Sequence, residues 1–294
     1  MNFRRGFKVS LVACLWSSAG SLLWGCAAAD DAAAHENVGE AQSALSLSRG
    51  FWSWGTTNGQ TIDIGSAANQ TCFLAGVAGN LNAGWGWDHG GRPSQAGVGI
   101  DGNGHYFVVA SGGLDYGNVV MNNPVDGKVV CIGTSANRKS YSQGGAGQGV
   151  NETTTLEPIK ANRQCFLSYV SGYSGTWASG SARAQVLQQG ANWVLETANL
   201  GVSAGIPAFG AVCVDLPANT WSGTGAKGVG NPGSVTVNML GEATPGACGL
   251  TGIQGPIANN SWTDGVLLNW PAKSPGEWTL TVVNGKTGWV TCID

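Results

Sequence analysis

CFLAGVAG, residues 72–79, returns as CFLSYVSG at 165–172 and again as CGLTGIQG at 248–255. Each copy opens on a cysteine and runs through a short, glycine-punctuated apolar stretch. Stretches of this length, bounded by turn residues, read as strands rather than helices. Working outward, a second cysteine closes each copy: KVVCIG around Cys131, GAVCVD around Cys213 and GWVTCID around Cys292. Between the two cysteines lie GHYFVV (104–109), ANWVLE (191–196) and GEWTLT (276–281). An aromatic-Ser pair precedes each opening cysteine, at Trp52-Ser53, Tyr141-Ser142 and Trp221-Ser222. The order is the same three times, and the opening cysteines stand 93 and 83 residues apart. The chain is therefore read as three tandem units, 49–134, 135–216 and 217–294.

Within the central segment Tyr106, Trp193 and Trp278 align, with Val108, Leu195 and Leu280 two residues later. A period of two puts both columns on one face of a strand, and that face is the core. The expected fold class is all-β: three small antiparallel β-sandwich or barrel repeats, each closed by one disulfide. Whether the repeats share one core is open at this level. Units this small bury little apolar surface and gain from a covalent staple. The repeat order selects Cys72–Cys131, Cys165–Cys213 and Cys248–Cys292. Metal ligation is the competing use of these cysteines. It is disfavoured because none sits at close C-x-x-C spacing and histidines are few. Neither metal nor cofactor is expected.

The first 26 residues, MNFRRGFKVSLVACLWSSAGSLLWGC, have a basic start at Arg4, Arg5 and Lys8 followed by an apolar run. This is an export signal rather than fold material. Leu23-Trp24-Gly25-Cys26 resembles a bacterial lipobox, which implies acylation of Cys26. Ordinary cleavage within Ala27–Ala29 is the alternative. Residues 27–48 are small, polar and acidic and read as a flexible tether. Without the leader, 11 basic residues face 17 acidic ones, a net charge of −6. That balance argues against a nucleic-acid partner. The expected location is the outer membrane or cell surface through a lipid, or free secretion. Membrane contact is expected through the lipid only.

The pattern C-F-L-x-x-V-x-G … G-x-W-x-L … C-V resembles repeats of secreted bacterial surface proteins and of phage or pilus fibre tips, over most of residues 50–294. The resemblance implies surface adhesion or recognition. It carries no catalytic residues.

One stretch breaks the repeat. WGWDHGGR, residues 85–92, places Trp85, Trp87, Asp88, His89 and Arg92 between glycines. Trp85 has counterparts in Trp177 and Trp262, whereas the other four belong to the first unit alone. Aromatic faces stack on sugar rings while polar side chains read hydroxyls, so these five are the candidate ligand-binding residues. The competing reading is a decorated loop. The function expected from composition is a lectin-like or adhesin-like surface protein that recognises carbohydrate. A structural or protein-interaction role in the envelope or matrix is the first alternative. The second is a secreted hydrolase using Asp88 and His89, although no nucleophile or paired-carboxylate motif accompanies them.

Overall fold

The computed structural model describes residues 50–55, 61–83, 93–112, 124–144, 151–201, 207–217, 222–230, 233–237, 246–261, 263–269 and 278–293; side chains are described outside 50–55 and 222–237. The described residues form eighteen strands and no helix. They fall into three sets of six. The first holds β1 (Gly50–Gly55), β2 (Thr61–Ser66), β3 (Thr71–Gly79), β4 (Ser94–Ile100), β5 (His105–Ser111) and β6 (Val125–Ile132). The second holds β7 (Lys139–Gln143), β8 (Asn151–Pro158), β9 (Arg163–Gly172), β10 (Arg183–Gln189), β11 (Asn192–Ala198) and β12 (Phe209–Asp215). The third holds β13 (Ser222–Gly230), β14 (Gly233–Val237), β15 (Ala247–Gln254), β16 (Gly265–Asn269), β17 (Trp278–Val282) and β18 (Lys286–Ile293).

Every set pairs its strands the same way, antiparallel throughout. The sixth strand lies between the first and the third, and the fifth between the second and the fourth. The two halves of a set do not join each other. Instead β3 pairs with β16, β15 with β10 and β9 with β4, so each six-stranded sheet takes one half from each of two repeats. The three joins run cyclically through the repeats and give the molecule a pseudo-threefold axis. This settles the point the sequence left open. Buried side chains of all three repeats form one continuous core, including Tyr106, Trp193 and Trp278 and their partners Val108, Leu195 and Leu280.

The disulfides are as the repeat order requires: Cys72–Cys131, Cys165–Cys213 and Cys248–Cys292. In each, the cysteines face one another directly across the third and sixth strands, with Cα atoms 4.0 Å apart. Three residues past each opening cysteine the ladder skips one residue, at Ala75, Ser168 and Thr251. The bulge sharpens the local twist at the same place in every repeat. It lies just before the point where each third strand meets the neighbouring repeat.

The third strands β3, β9 and β15 pack on one another around the axis. There Phe73 and Phe166 stack with ring centroids 4.0 Å apart and planes 10° from parallel. The residue at the same position of the third repeat is Gly249. A Cβ on it would stand 2.4 Å from the Phe73 ring and 2.7 Å from that of Phe166. Two rings fill the axis, and the third repeat has none because there is no space for one. Elsewhere the turns follow ordinary chemistry. Asn284-Gly285, with φ of 54° and 73°, joins β17 to β18 in the twist a tight hairpin needs.

Candidate functional site

The positions flanking the inter-repeat joins carry the asymmetry. Four residues past each opening cysteine, the third strand pairs on one side with its own sixth strand and on the other with the borrowed fourth strand. Across the sheet holding β6, β3 and β16 the row reads Lys128, Gly76, Leu267. Across β18, β15 and β10 it reads Trp289, Gly252, Gln185. Across β12, β9 and β4 it reads Gly210, Tyr169, Gly97. Two rows put glycine in the middle and large side chains on both flanks. The last inverts this, with one tyrosine between two glycines.

The contacts explain the inversion. A Cβ at Gly97 would stand 2.5 Å from the Tyr169 ring, and one at Gly210 would stand 2.9 Å from Tyr169 Cβ and 2.8 Å from Ser168 Oγ. In the first row Lys128 instead crosses Gly76 and donates from Nζ to Asn269 Oδ1 at 2.9 Å. In the second the Trp289 ring lies against Gly252, with Gln185 on its other side. The positions matching Lys128 and Asn269 in the third row are Gly210 and Gly99. Phe107 leans over Gly99 from β5, and both glycines border open space on the sheet face.

That space is a cleft of about 460 Å³, within the usual span of roughly 300–1,000 Å³ for small-molecule sites. It opens where β4, paired with β9 only from Ser94 to Gly97, parts from it. Val98, Cys72 and Tyr106 line its apolar side, and Ile100 stands at its edge. Among the described residues Ile100 is the exposed large hydrophobic side chain, at 39 %. Tyr141 and Tyr169 supply aromatic surface, and Ser140, Ser142 and Ser168 supply hydroxyls. No hydrogen bond within the described residues occupies these three serine side chains.

Both half-buried tyrosines are held by their hydroxyls. Tyr169 donates to Gln95 Oε1, and Tyr141 donates to Glu157 Oε1. Burial pushes the Tyr169 hydroxyl up to about 12, and burial, then the hydrogen bond to Glu157 and its charge, raise that of Tyr141. Both therefore stay neutral, and their rings are fixed before any ligand arrives. Behind Tyr141 lies an ionic cluster, buried at Arg163 and Glu157 and joined from the surface by Lys139. Arg163 Nη2 meets Glu157 at 2.6 Å, Arg163 Nη1 meets Asp215 at 2.9 Å, and Lys139 reaches Glu157 at 3.1 Å. Burial opposes the Glu157 carboxylate. Hydrogen bonds from Tyr141 and Lys139 and the charge of Arg163 outweigh it and hold the carboxyl below its ordinary value. These charges compensate one another, and no charged residue lines the cleft itself.

Trp85, Trp87, Asp88, His89 and Arg92 lie outside the described residues, as do Cys26 and Trp262. Trp177, the counterpart of Trp85, is fully buried. Its Nε1 donates to Ser171 O at 3.0 Å, and its ring meets Phe209 edge-on. At that position of the second repeat the tryptophan is a core residue. A second buried ion pair, Lys286 Nζ with Asp264 Oδ1 at 2.5 Å, is completed by Asn284 and ties the start of β18 to the turn before β16. Among the described residues no three His, Cys, Asp or Glu side chains gather as metal ligands would. No protein-family model, curated protein or solved structure matches the chain.

The cleft residues were accessible to sequence reading only through the aligned columns. Reading Lys128, Gly210 and Trp289 as one column, and Gly76, Tyr169 and Gly252 as another, would have marked the second repeat's sixth strand as the odd one.

Proposed function

We propose that the protein is an exported surface protein that binds carbohydrate in the cleft between β4 and β9. The observation that carries this reading is the lining: tyrosine rings held rigid by their own hydroxyls, beside unengaged serine hydroxyls, around an apolar floor. Aromatic surface packs on the C–H face of a sugar while short hydroxyl side chains exchange hydrogen bonds with its rim. Rings that are already ordered lose little freedom on binding. The three disulfides fit an extracellular or otherwise oxidising compartment. Attachment through acylated Cys26 is part of the same proposal and would hold the site at a cell surface.

Calorimetric titration of the full exported chain with a panel of mono- and disaccharides tests the site. Replacing exposed Ser140 and Ser142 together by alanine should weaken binding with little change in thermal unfolding. A loss of about 1–3 kcal/mol is the scale expected where polar anchors act with an aromatic one. If Trp87→Ala abolishes binding and the serine pair leaves it intact, the site lies in WGWDHGGR and not in this cleft. Absence of binding by every sugar, with cross-linking to an envelope protein instead, supports the structural role.

A further inference from the structure

The threefold repeat invites the expectation of three equivalent sites. We infer that of the three joins among the described residues one is open as a site, and that its ligand is an uncharged sugar; this rests on the carbohydrate reading above. Three joins between repeats have the same backbone pairing, so three clefts were available to the fold. At the join of β3 and β16, Lys128 spans the middle strand and closes on Asn269 at 2.9 Å. At the join of β15 and β10, Trp289 and Leu187 occupy the matching positions, and the Trp289 ring lies on Gly252. At the join of β9 and β4 those positions are Gly210 and Gly99. Both glycines line the cleft, at places where the other repeats put Lys128 and Asn269 or Trp289 and Leu187.

The ligand class follows from what the cleft lacks. Its wall offers neutral hydroxyls and rings. Of the charges behind the lining, Glu157, Arg163, Lys139 and Asp215 are committed to each other, and Arg138, whose guanidinium lies 5.4 Å from the Tyr106 ring centroid, donates to the carbonyls of Ala67 and Gln70. A uronate or sialic-acid carboxylate seated here would lose water and gain no cation, which is strongly unfavourable. A neutral pyranose has no such group to desolvate, and its hydroxyls match the serines.

The test is titration calorimetry of the full chain with methyl glucosides, galactosides and mannosides, against glucuronic acid and N-acetylneuraminic acid. One neutral glycoside should bind with a stoichiometry of one, and both acids at least about tenfold more weakly. The variant Gly97→Leu, Tyr169→Gly, Gly210→Lys rebuilds the Leu267–Gly76–Lys128 row in the open sheet and should abolish binding. Should that variant fail to fold, Ser142→Trp, placed from an exposed position, should block the cleft in an intact molecule. A stoichiometry of three, preference for an acidic sugar, or unaltered binding in the blocked protein overturns the inference and leaves carbohydrate binding standing. Absence of binding by all the sugars overturns both.

Discussion

Gly249→Ala is the sharpest test of the shared core, because it adds one carbon where three repeats meet. The new Cβ would lie 2.4 Å from Cδ2 and Cε2 of Phe73 and 2.7 Å from Cδ1 of Phe166. Carbon atoms in van der Waals contact stand about 3.5–4.0 Å apart, so one ring or the strand must move by roughly 1 Å. Neither ring has an easy retreat. Both are fully buried, they are stacked on one another, and each follows a disulfide-bonded cysteine. Overpacking of this kind costs about 1–3 kcal/mol, and the rigidity of the site places the expected loss near the upper end. Urea unfolding with the disulfides intact would measure it. Phe73→Ala alone should cost about 3–5 kcal/mol through the cavity it leaves. The double variant should cost less than the sum of the two by about 0.5–3 kcal/mol, because each change relieves the other. The exchange Phe73→Gly with Gly249→Phe, which moves the gap to another repeat, should recover most of the stability. A Gly249→Ala protein within about 0.5 kcal/mol of the parent, with no coupling to Phe73, would show that the axis is slack and the argument from packing wrong.

Trp193→Ala should destabilise by about 3–5 kcal/mol in the same assay, since this buried ring fills the core behind β11. Glu157 and Asp215 both have carboxyls held below their ordinary values of 4.5 and 3.8, so they favour the folded state fully above those values. That contribution is lost as pH falls through the lower folded-state values; the urea midpoint should drop in acid, and Glu157→Gln should flatten the drop. A fragment of residues 135–216 should give an unfolded amide spectrum, because it leaves β9 without β4 and β10 without β15; a dispersed spectrum would mean that the repeat is autonomous.

The disulfide pairing and the core columns were legible because both repeat in register. A cysteine at the start and end of each unit has its partner fixed by the order of the copies. A tryptophan aligned with a tyrosine and another tryptophan must share an environment. The exchange of strands between repeats was not legible. Alternation along β4 says which of its faces is buried. It does not say whether its free edge joins its own β3 or the β9 of the next copy, since both offer the same backbone hydrogen bonds. The choice lies in three- and four-residue ladders at the joins, with Gly97 facing Tyr169 and Leu267 facing Gly76. Such complementarity is visible only after the strands are placed side by side. The cleft was hidden for a related reason: glycines inside strands look like losses of packing until the neighbour that uses the space is known.

The two departures from threefold symmetry have different causes. On the axis, symmetry is sterically excluded: three phenylalanines cannot occupy a space that two already fill, so one repeat must carry a smaller residue there. Away from the axis no such conflict exists. The Lys128 and Trp289 rows both solve the packing of a join by placing glycine in the middle strand. The inverted row of Gly210, Tyr169 and Gly97 is packed differently: the Tyr169 side chain takes the room that a Cβ at Gly97 or Gly210 would need. It gives up the covering side chain that the other joins have, and leaves Ile100 exposed beside it. The apolar surface this uncovers beside neutral hydroxyls is what the proposed carbohydrate site would use.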